Sequence, residues 1–408
     1  MLTVDEARAR ILATIEPLGT ETIPLEQASG RVLAEPFISQ SDLPSFDNSS
    51  VDGFALRAAD VSSASREAPA ALAVTADIVA GSTPGTILEP GTAARITTGA
   101  PLPAGADAVV MLEDTDSPPR AAGGAAPARV AIYRRVATAE NVRPQAADLR
   151  AGETVFDPGQ RLRPVDLGML ALLGKAAVRV YRRPTVAILS SGDELLPVDA
   201  EPQPGKVHDA NSFMLAALAS EAGAHVIRLG IAADSRSALE GLLEGAASSG
   251  ADMILSSAGV SVGALDFVRE VVQTRGSLDF WRVNMRPGKP LAFGRYRDLP
   301  FFGLPGNPVS AFVGFLVFVA PAILRLSGTA EPPRRLLRAR AGQLISSDGR
   351  ESYLRAILHE VESGHVAHLS GHQGSGNLLA LTRANALLII PSGVKSVPPG
   401  EEVIAWLL

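Results

Sequence analysis

Strand-like and helix-like segments alternate between about residues 174 and 327, and this alternation restricts the fold more than any other feature of the sequence. Three β-type runs, TVAILSS, HVIRLG and ADMILSS, enclose two amphipathic runs, NSFMLAALASEAG and SRSALEGLLEGAASSG. In the first amphipathic run Asn211 is expected to cap a helix that ends near Gly223. A repeated β-α-β order favours a parallel sheet covered by helices on both faces. We therefore expect a three-layer α/β domain over 174–327.

The remaining regions differ from this one in texture. Residues 1–40 and 141–173 are mostly helical, 41–140 carry short apolar runs typical of a β-rich domain, and 328–408 predict a small β domain. Thr3 and Glu6 fit a capping box at the start of the first helix, and Pro164 suits the start of another. The low-complexity stretch 117–128 is expected to be a surface loop. The length of 408 residues agrees with several domains.

Composition argues against several classes of protein. With 43 acidic and 37 basic residues the net charge is −6, which argues against broad nucleic-acid binding. The chain has no cysteine, which excludes disulfides, thiolate metal sites and thiol nucleophiles. The start, MLTVDEARARILATI, lacks the apolar core of a secretory signal. The most apolar stretch, 311–324, is shorter than the roughly 20 residues that span a bilayer, so we expect a buried helix. These features predict a cytoplasmic protein that binds neither nucleic acid nor membranes.

Acidic residues gather in the loops that follow strands. The loop SSAGVSVGALDF leaves a strand through small residues and reaches Asp266 before a helix, in the place where α/β sheets bind ligands. SSGDEL puts Glu194 after another strand, while Asp209 and Asp234 stand before helices. Helix capping alone explains such aspartates, but three of them at one sheet edge would also suit a hard cation such as Mg²⁺. Asp52, in SVDGF, is typical of a tight turn.

A basic segment, WRVNMRPGKPLAFG, carries Arg282, Arg286 and Lys289. Alternation along an extended strand places the two arginines on one face, where they could converge with the lysine on an oxyanion. A solvated basic face explains the same segment equally well. In the following GLPGNPVSAF, Asn307 is expected to cap a helix that begins at Pro308, and free N–H groups at such a start can bind anions.

Two other kinds of site are not supported by the sequence. His365, His368 and His372 are close together, but residues i and i+3 of a strand point to opposite faces, and no carboxylate or cysteine is matched to them. The chain contains no Walker A or G-x-G-x-x-G motif. Catalysis by this chain would therefore depend on positioning and charge stabilisation.

Seven segments, in this order along the chain, resemble the molybdopterin molybdenumtransferase family, to which MoeA belongs and to which the equivalent domain of animal gephyrin is related. They are FDNSSVDGFALR, RITTGAPLPAGADAVV, SSGDEL, SSAGVSVGALDF, RPGKPLAFG, GLPGNPVSA and GSGNLLALTRANALLIIPSG. The resemblance covers essentially the whole chain.

This resemblance implies an α/β and β multidomain protein, an elongated homodimer of four-domain subunits. Domain I would combine 1–40 with 141–173, domain II would be the inserted β-rich region 41–140, domain III the central α/β molybdopterin-binding domain 174–327, and domain IV the C-terminal β domain 328–408. The implied reaction takes adenylyl-molybdopterin and molybdate, requires Mg²⁺, and yields molybdenum-loaded molybdopterin and AMP. A molybdopterin adenylyltransferase, or another protein that delivers molybdopterin, is the implied partner.

The same resemblance implies site residues, motif by motif. Those implied as catalytic are Asp52, Asp148, Asp234, Asp266, Arg282 and Arg286. Those implied as substrate-binding are Thr98, Glu194, Ser257, Gly259, Ser261, Gly263, Lys289, Pro305 and Pro308. Asp234 and Asp266 would bind Mg²⁺, and Asp52 would reach the cleft of the partner subunit.

The chain departs from the family pattern in four places. It reads SSVDG where S-A-M-D-G is usual, and Ala258 stands at the first glycine of G-G-V-S-V-G. Pro144 and Gln145 interrupt a common R-R-x-G-E-D, which leaves the placement of Asp148 open, and Arg282 replaces the lysine of some members. A tungstate-inserting paralogue and a non-catalytic molybdopterin carrier or scaffold remain as alternatives.

Overall fold

The chain forms two compact units in its computed structural model, which describes residues 1–83, 85–118, 124–257, 265–329 and 334–408, without the side chains of 265–269. Unit 1 comprises Met1–Glu35, Pro158–Ala171 and Lys175–Leu408, and unit 2 comprises Pro36–Asp157 with Leu172–Gly174. Unit 2 is thus an insertion in the sequence of unit 1, while the finer four-domain boundaries stay a prediction.

The helices begin close to the expected signals. In the described ranges they are α1 (Val4–Ala13), α2 (Pro164–Leu172), α3 (Ala210–Glu221), α4 (Arg236–Ser248), α5 (Leu265–Arg275), α6 (Pro308–Gly314), α7 (Ala320–Leu326) and α8 (Leu378–Arg383). The predicted capping box is confirmed, because Glu6 N donates to Thr3 Oγ1 at 3.2 Å and Thr3 N donates to Glu6 Oε2 at 2.8 Å. Pro164 is the first residue of α2, as expected.

Three expectations about caps were wrong or incomplete. Asp209, not Asn211, caps α3, since Ser212 N donates to Asp209 Oδ1 at 3.0 Å. Ser235, not Asp234, caps α4. Asn307 does precede α6, but its side chain makes no capping hydrogen bond.

A six-stranded sheet forms the centre of unit 1. Its strands, in spatial order, are His225–Ala232, Thr185–Ser191, Met253–Ser257, Leu299–Leu304, Pro290–Tyr296 and Gly276–Arg282. The first four are parallel to one another, and Pro290–Tyr296 runs antiparallel to both of its neighbours, so the expected parallel sheet is in fact mixed. Successive residues of one strand alternate between two cores: Ile188 packs in the core that includes α3 and α7, and Leu189 in the core that includes α4. The three-layer α/β architecture is confirmed.

The most apolar segment is a helical run buried in unit 1. The π-helical turn Phe315–Val319 joins α6 to α7, so that the run extends over Pro308–Leu326, 19 residues. In the described part of the chain this helix alone is long and apolar enough to cross a membrane, and 72% of it is buried within the protein. The expected burial is confirmed, but the argument from insufficient length was wrong, because the helix continues beyond 311–324 at both ends.

The C-terminal part of unit 1 is a closed barrel. Its strands are Leu336–Ala341, Glu351–Val361, Gly364–Leu369, Ala386–Ile390 and Glu402–Leu407, and a direct pairing of Glu351–Val361 with Ala386–Ile390 closes the ring. The short strand Met285–Arg286 joins this barrel in parallel with Glu351 and Ser352. Short two-stranded sheets complete unit 1: Thr20–Pro24 with Ala177–Tyr181, Leu195–Leu196 with Val207–His208, and Ile345–Ser346 with Ser396–Val397.

Unit 2 is built on a five-stranded sheet. In spatial order its strands are Ala108–Met111, Gly53–Leu56, Thr92–Ile96, Ala70–Ile78 and Arg129–Ile132; the pairs Asn48–Ser49 with Val142–Arg143 and Phe37–Ile38 with Thr154–Phe156 accompany it. Gly53 is required by close packing, because a Cβ there would lie 1.8 Å from the carbonyl oxygen of Val110. Part of the expected surface loop, 119–123, lies outside the described residues.

Candidate active site

A cavity of about 900 Å³ opens at the carboxyl ends of three parallel strands in unit 1. Glu194 follows the strand Thr185–Ser191, Ser257 ends Met253–Ser257, and Pro305 follows Leu299–Leu304. Ligands of α/β sheets bind at this edge, because parallel strands bring their loops together there. The volume lies in the usual range for small-molecule sites, roughly 300–1,000 Å³.

The Glu194 carboxylate lies close to the backbone of a glycine turn. Gly192 has a φ of +148°, and a Cβ at this position would lie 2.6 Å from Oε2 of Glu194. Any larger residue at position 192 would push the carboxylate away and strain the backbone. The close approach of this carboxylate to the turn therefore depends on glycine at position 192.

The first turn of α3 connects two of the strand-end loops. Asn211 is 8% exposed, and its Nδ2 donates to Ser257 Oγ and to the carbonyl oxygen of Gly306, both at 2.8 Å. One amide group thus joins the end of one strand to the loop that precedes α6. These bonds give the cavity a rigid floor made from three separate chain segments.

Two cations of the cavity form no hydrogen bond or ion pair with a carboxylate among the described residues. Arg286, at the end of the strand Met285–Arg286, and Lys289, just before the strand Pro290–Tyr296, both line the cavity. Between them Gly288 adopts a φ of +100°. Their charges are therefore available to an anionic ligand.

A third cation, Arg350, differs because it is neutralised locally. Its Nε donates to Asp348 Oδ2 at 3.0 Å, and its Nη1 donates to the carbonyl oxygen of Met285 at 3.0 Å. The Arg350 guanidinium, and to a lesser degree Arg286, holds the pKa of Asp348 below its ordinary value. Arg350 thus ties the barrel to the segment that carries Arg286.

A loop of the barrel, residues 373–376, completes the cavity wall. Arg355 is 1% exposed and holds this loop, because its Nη2 donates to the carbonyl oxygens of His372 at 2.9 Å and Gly374 at 3.2 Å. Gln373 accepts from Arg355 N at 2.9 Å and donates to Arg355 O at 3.1 Å. Burial, and then the nearby Arg286, lowers the pKa of Arg355. Arg355 acts on the cavity through the loop and does not line it.

Asp234 pairs with a neighbouring aspartate and does not line the cavity. Asp234 N donates to Asp193 Oδ1 at 3.0 Å, and Asp193 N donates to Asp234 Oδ2 at 3.4 Å. No group of three or more His, Cys, Asp or Glu side chains that could hold a metal occurs within the described part of the chain.

In unit 2 two of the expected residues are in contact. Thr98 donates to Asp52 Oδ1 through its backbone N at 2.7 Å and through its Oγ1 at 3.0 Å. Asp148 forms an ion pair with Arg143. Asp52 is therefore not the isolated turn residue of the local interpretation, since it is bound to a second loop.

The structure brings together part of the predicted set. Six of its members line the cavity: Glu194, Ser257, Arg286, Lys289, Pro305 and Pro308. Gly259, Ser261 and Gly263 lie outside the described residues, as does the side chain of Asp266. Asp52, Thr98 and Asp148 belong to unit 2. Their catalytic and binding roles stay predictions.

Arg282 does not share a strand face with Arg286, so that prediction was wrong. Arg282 ends the strand Gly276–Arg282 of the central sheet, and the chain then turns before Met285–Arg286 enters the barrel sheet. Arg282 lines a separate pocket of about 530 Å³, which it shares with Lys289.

Several residues of the cavity were not expected from the sequence. No motif around Arg350 indicated that it lines the cavity, and Asn211 was interpreted as a helix cap. The segment 374–376 lies within one of the seven matching motifs but was not assigned to the site. Each reaches the cavity only through folding over long distances along the chain.

Three family models match the chain. They are the MoeA N-terminal region (domain I and II) over residues 2–174, a probable molybdopterin binding domain over 187–325, and the MoeA C-terminal region (domain IV) over 338–408. Together they account for most of the sequence.

Curated relatives and a solved structure agree with these matches. The molybdopterin molybdenumtransferase of a Nostoc species is 40% identical, over 95% of this chain and 89% of the relative. That of Haemophilus influenzae is 35% identical over 99% of this chain and 98% of its own length. The crystal structure of the molybdopterin biosynthesis MoeA protein from Pyrococcus horikoshii has a TM-score of 0.84 and 31% identity, over 100% of this chain and 99% of that one. The chain therefore belongs to the molybdopterin molybdenumtransferase family of enzymes.

Proposed function

We propose that this enzyme of molybdenum cofactor biosynthesis inserts molybdenum into molybdopterin, using adenylyl-molybdopterin and molybdate and releasing AMP. The observation that carries the proposal is the pair Arg286 and Lys289, two cations at one cavity without a carboxylate partner among the described residues. Molybdate and the phosphates of the nucleotide are anions, and unpaired cations in a cleft bind such groups.

The same cations suit the chemical step. Breaking a phosphate–phosphate bond leaves added negative charge on the departing AMP phosphate, and fixed cations beside it stabilise that charge. The dithiolene sulfurs of the pterin become ligands of the inserted metal. The chain has no cysteine, so no protein thiolate competes for this soft-ligand position.

Mg²⁺ dependence is part of the proposal. Mg²⁺ commonly binds one or two protein carboxylates and completes its shell with water and substrate phosphates. Asp234 and Asp266 are the proposed protein ligands of this ion, and the Asp234 carboxylate accepts a hydrogen bond from Asp193 N at 3.4 Å. The bound ion would offset negative charge on the substrate phosphates.

We also propose that the enzyme works as a homodimer in the cytoplasm. Asp52, Thr98 and Asp148 of one subunit would then serve the cavity of the partner, and a molybdopterin adenylyltransferase would supply the adenylylated substrate. The two hydrogen bonds from Thr98 to one oxygen of Asp52 support a carboxylate with a fixed position.

The test is AMP release from adenylyl-molybdopterin, with and without molybdate and with and without Mg²⁺. Arg286→Gln should lower molybdate-dependent release by roughly tenfold to hundredfold, the effect of losing a charge-assisted hydrogen bond of about 1.5–3 kcal/mol. Asp266→Asn should abolish release if that residue binds the metal. Arg338→Gln, on an exposed barrel strand, is the control and should leave the rate unchanged.

Arg282→Gln tests whether the reaction takes place in the 900 Å³ cavity or in the 530 Å³ pocket that Arg282 lines. If Arg282→Gln lowers AMP release more than Arg286→Gln does, the assignment of the 900 Å³ cavity is wrong. Molybdate and tungstate have nearly equal size and charge, so both oxyanions should be assayed. Tight pterin binding without AMP release at any concentration of either oxyanion would identify a carrier or scaffold instead of an enzyme that inserts metal.

A further inference from the structure

Four arginines line a third, small pocket in unit 1, here called the arginine pocket: Arg31, Arg161, Arg182 and Arg183. The pocket lies beside Ala222 and Gly223, at the C-terminal end of α3, whereas the cavity lies at its N-terminal end. α3 has 12 residues, so about 18 Å of helix separates the two sites. The arginine pocket is therefore distinct from the active-site cavity.

Two of these arginines are neutralised by carboxylates. Arg31 Nη2 donates to Glu21 Oε1 at 2.5 Å and to the carbonyl oxygen of Tyr181 at 2.9 Å. Arg182 forms two bonds with Asp252, at 2.5 and 3.0 Å. Each of these guanidinium groups has a fixed position and an opposite charge beside it.

The other two have no carboxylate partner within the described residues. Arg161 Nε donates to the carbonyl oxygen of Gly30 at 3.1 Å, and its Nη2 lies near Gly223. Arg183 makes no hydrogen bond or ion pair with any described residue. Burial, followed by repulsion from Arg31 and Arg161, lowers the pKa of Arg183. Two positive charges thus share one site, and neither guanidinium is hydrogen-bonded to a carboxylate of the described residues.

Helix dipoles offset only part of this charge. The C-terminal ends of α3 and α7 border the pocket, and each supplies about half a negative charge. The backbone carbonyls that accept from these arginines belong to Tyr181 and Gly30, which are not at those helix ends. A net positive charge of roughly one remains from the two unpaired arginines.

We propose that the arginine pocket, bounded by Arg161 and Arg183, binds a small tetrahedral oxyanion of the phosphate or sulfate class. The enclosed part measures about 20 Å³, room for one group of the size of a water molecule. One oxygen of the anion would occupy it, while the remaining oxygens face the exposed end of Arg161. The planar guanidinium groups present paired donors to such an anion.

The experiment is calorimetric titration of the full chain with inorganic phosphate at constant ionic strength. It uses the Arg286→Gln protein as parent, so that phosphate bound in the active-site cavity does not contribute. Arg183→Gln should weaken binding at least about tenfold, equivalent to about 1.4 kcal/mol, and Arg183→Lys should weaken it less. Arg179→Gln, an exposed arginine outside the pocket, is the matched control and should bind phosphate as the parent does.

Stability of the free protein supplies an independent check. Without phosphate, Arg183→Gln should melt at the same temperature as its parent or higher, because it removes like-charge repulsion. If it fails to fold, Arg161→Gln serves as the second variant. Equal phosphate affinity in the parent and in both variants, or an equal loss in Arg179→Gln, would overturn the proposal. Binding seen in the unmodified chain but absent from the Arg286→Gln parent would also overturn it. None of these outcomes depends on the proposed reaction.

Discussion

Asn211 offers the sharpest test of how the active-site cavity is held together. Asn211→Ala removes two hydrogen bonds of 2.8 Å, to Ser257 Oγ and to the carbonyl oxygen of Gly306, from a side chain that is 8% exposed. A buried polar group that loses its partner costs about 1–3 kcal/mol. The Ser257 hydroxyl can rotate to another partner, but the Gly306 carbonyl cannot. We therefore expect the free energy of unfolding of unit 1 to fall by roughly 1–3 kcal/mol.

The measurement is urea unfolding followed by tryptophan fluorescence. The two tryptophans of the chain, Trp281 and Trp406, both belong to unit 1, so this signal reports that unit alone. Ser220→Ala, an exposed change on the same helix, is the control and should shift stability by less than about 0.5 kcal/mol.

Asn211→Asp adds a dependence on pH. A carboxylate at this position faces the Gly306 carbonyl without an N–H donor, so its pKa in the folded state should rise above the unfolded value. The loss in free energy of unfolding of Asn211→Asp, relative to the unmodified chain, should then be largest near neutral pH. It should shrink as the pH falls towards the ordinary pKa of aspartate, because the folded state binds the proton more tightly. If Asn211→Ala matches Ser220→Ala, or if the Asp variant loses no more stability near neutral pH than in acid, the two hydrogen bonds do not support the cavity.

Three further changes probe other parts of the structure. Gly53→Ala should destabilise unit 2 by about 3 kcal/mol or more, because its Cβ would meet Val110 O at 1.8 Å; the unfolding midpoint by circular dichroism should fall while that by tryptophan fluorescence stays. Burial, and then Glu244, raises the pKa of Tyr296 to about 12. Because the folded value exceeds the unfolded value near 10, the stability that this group contributes is intact below about pH 10 and is lost between about pH 10 and 12. Tyr296→Phe should remove that loss in an alkaline titration. Arg355→Met should lower AMP release roughly tenfold to hundredfold by releasing the loop that lines the cavity, and Arg355→Lys, which keeps a donor, should lose less; an unchanged rate in Arg355→Met would show that the loop is held by other contacts.

The sequence predicted those features that depend on neighbouring residues. The capping box of Thr3 and Glu6 and the start of α2 at Pro164 follow from local geometry and were confirmed. Asn211 was wrongly expected to cap α3, whereas the capping position of Asp209 was confirmed; both residue types cap helices well, and a partner distant in sequence decides between them. Asn211 lies inside α3, where its Nδ2 donates to the carbonyl oxygen of Gly306.

Contacts between distant segments explain the other misses. The prediction that Arg282 and Arg286 share one face assumed that both lie on a single strand. Arg286 instead belongs to a short strand that pairs with residues 351–352 of the barrel. The barrel also supplies Arg350 and the loop 373–376 to the cavity. No local pattern near Arg286 indicates a partner that lies more than 60 residues away, so the composition of that wall required the structure.

The division of unit 1 into three chain segments has a consequence for synthesis on the ribosome. Helix α1 packs in the same core as α7, and Leu18 N donates to Leu326 O at 2.8 Å. The apolar side chains Val4, Ala7 and Ile11 therefore emerge long before the helix that covers them. At about 5–20 residues per second, roughly 300 further residues take about 15–60 s to make. During that interval the nascent chain presents an uncovered amphipathic helix, which chaperones that shield apolar segments would bind. The inserted unit 2 is meanwhile complete in sequence and can fold first.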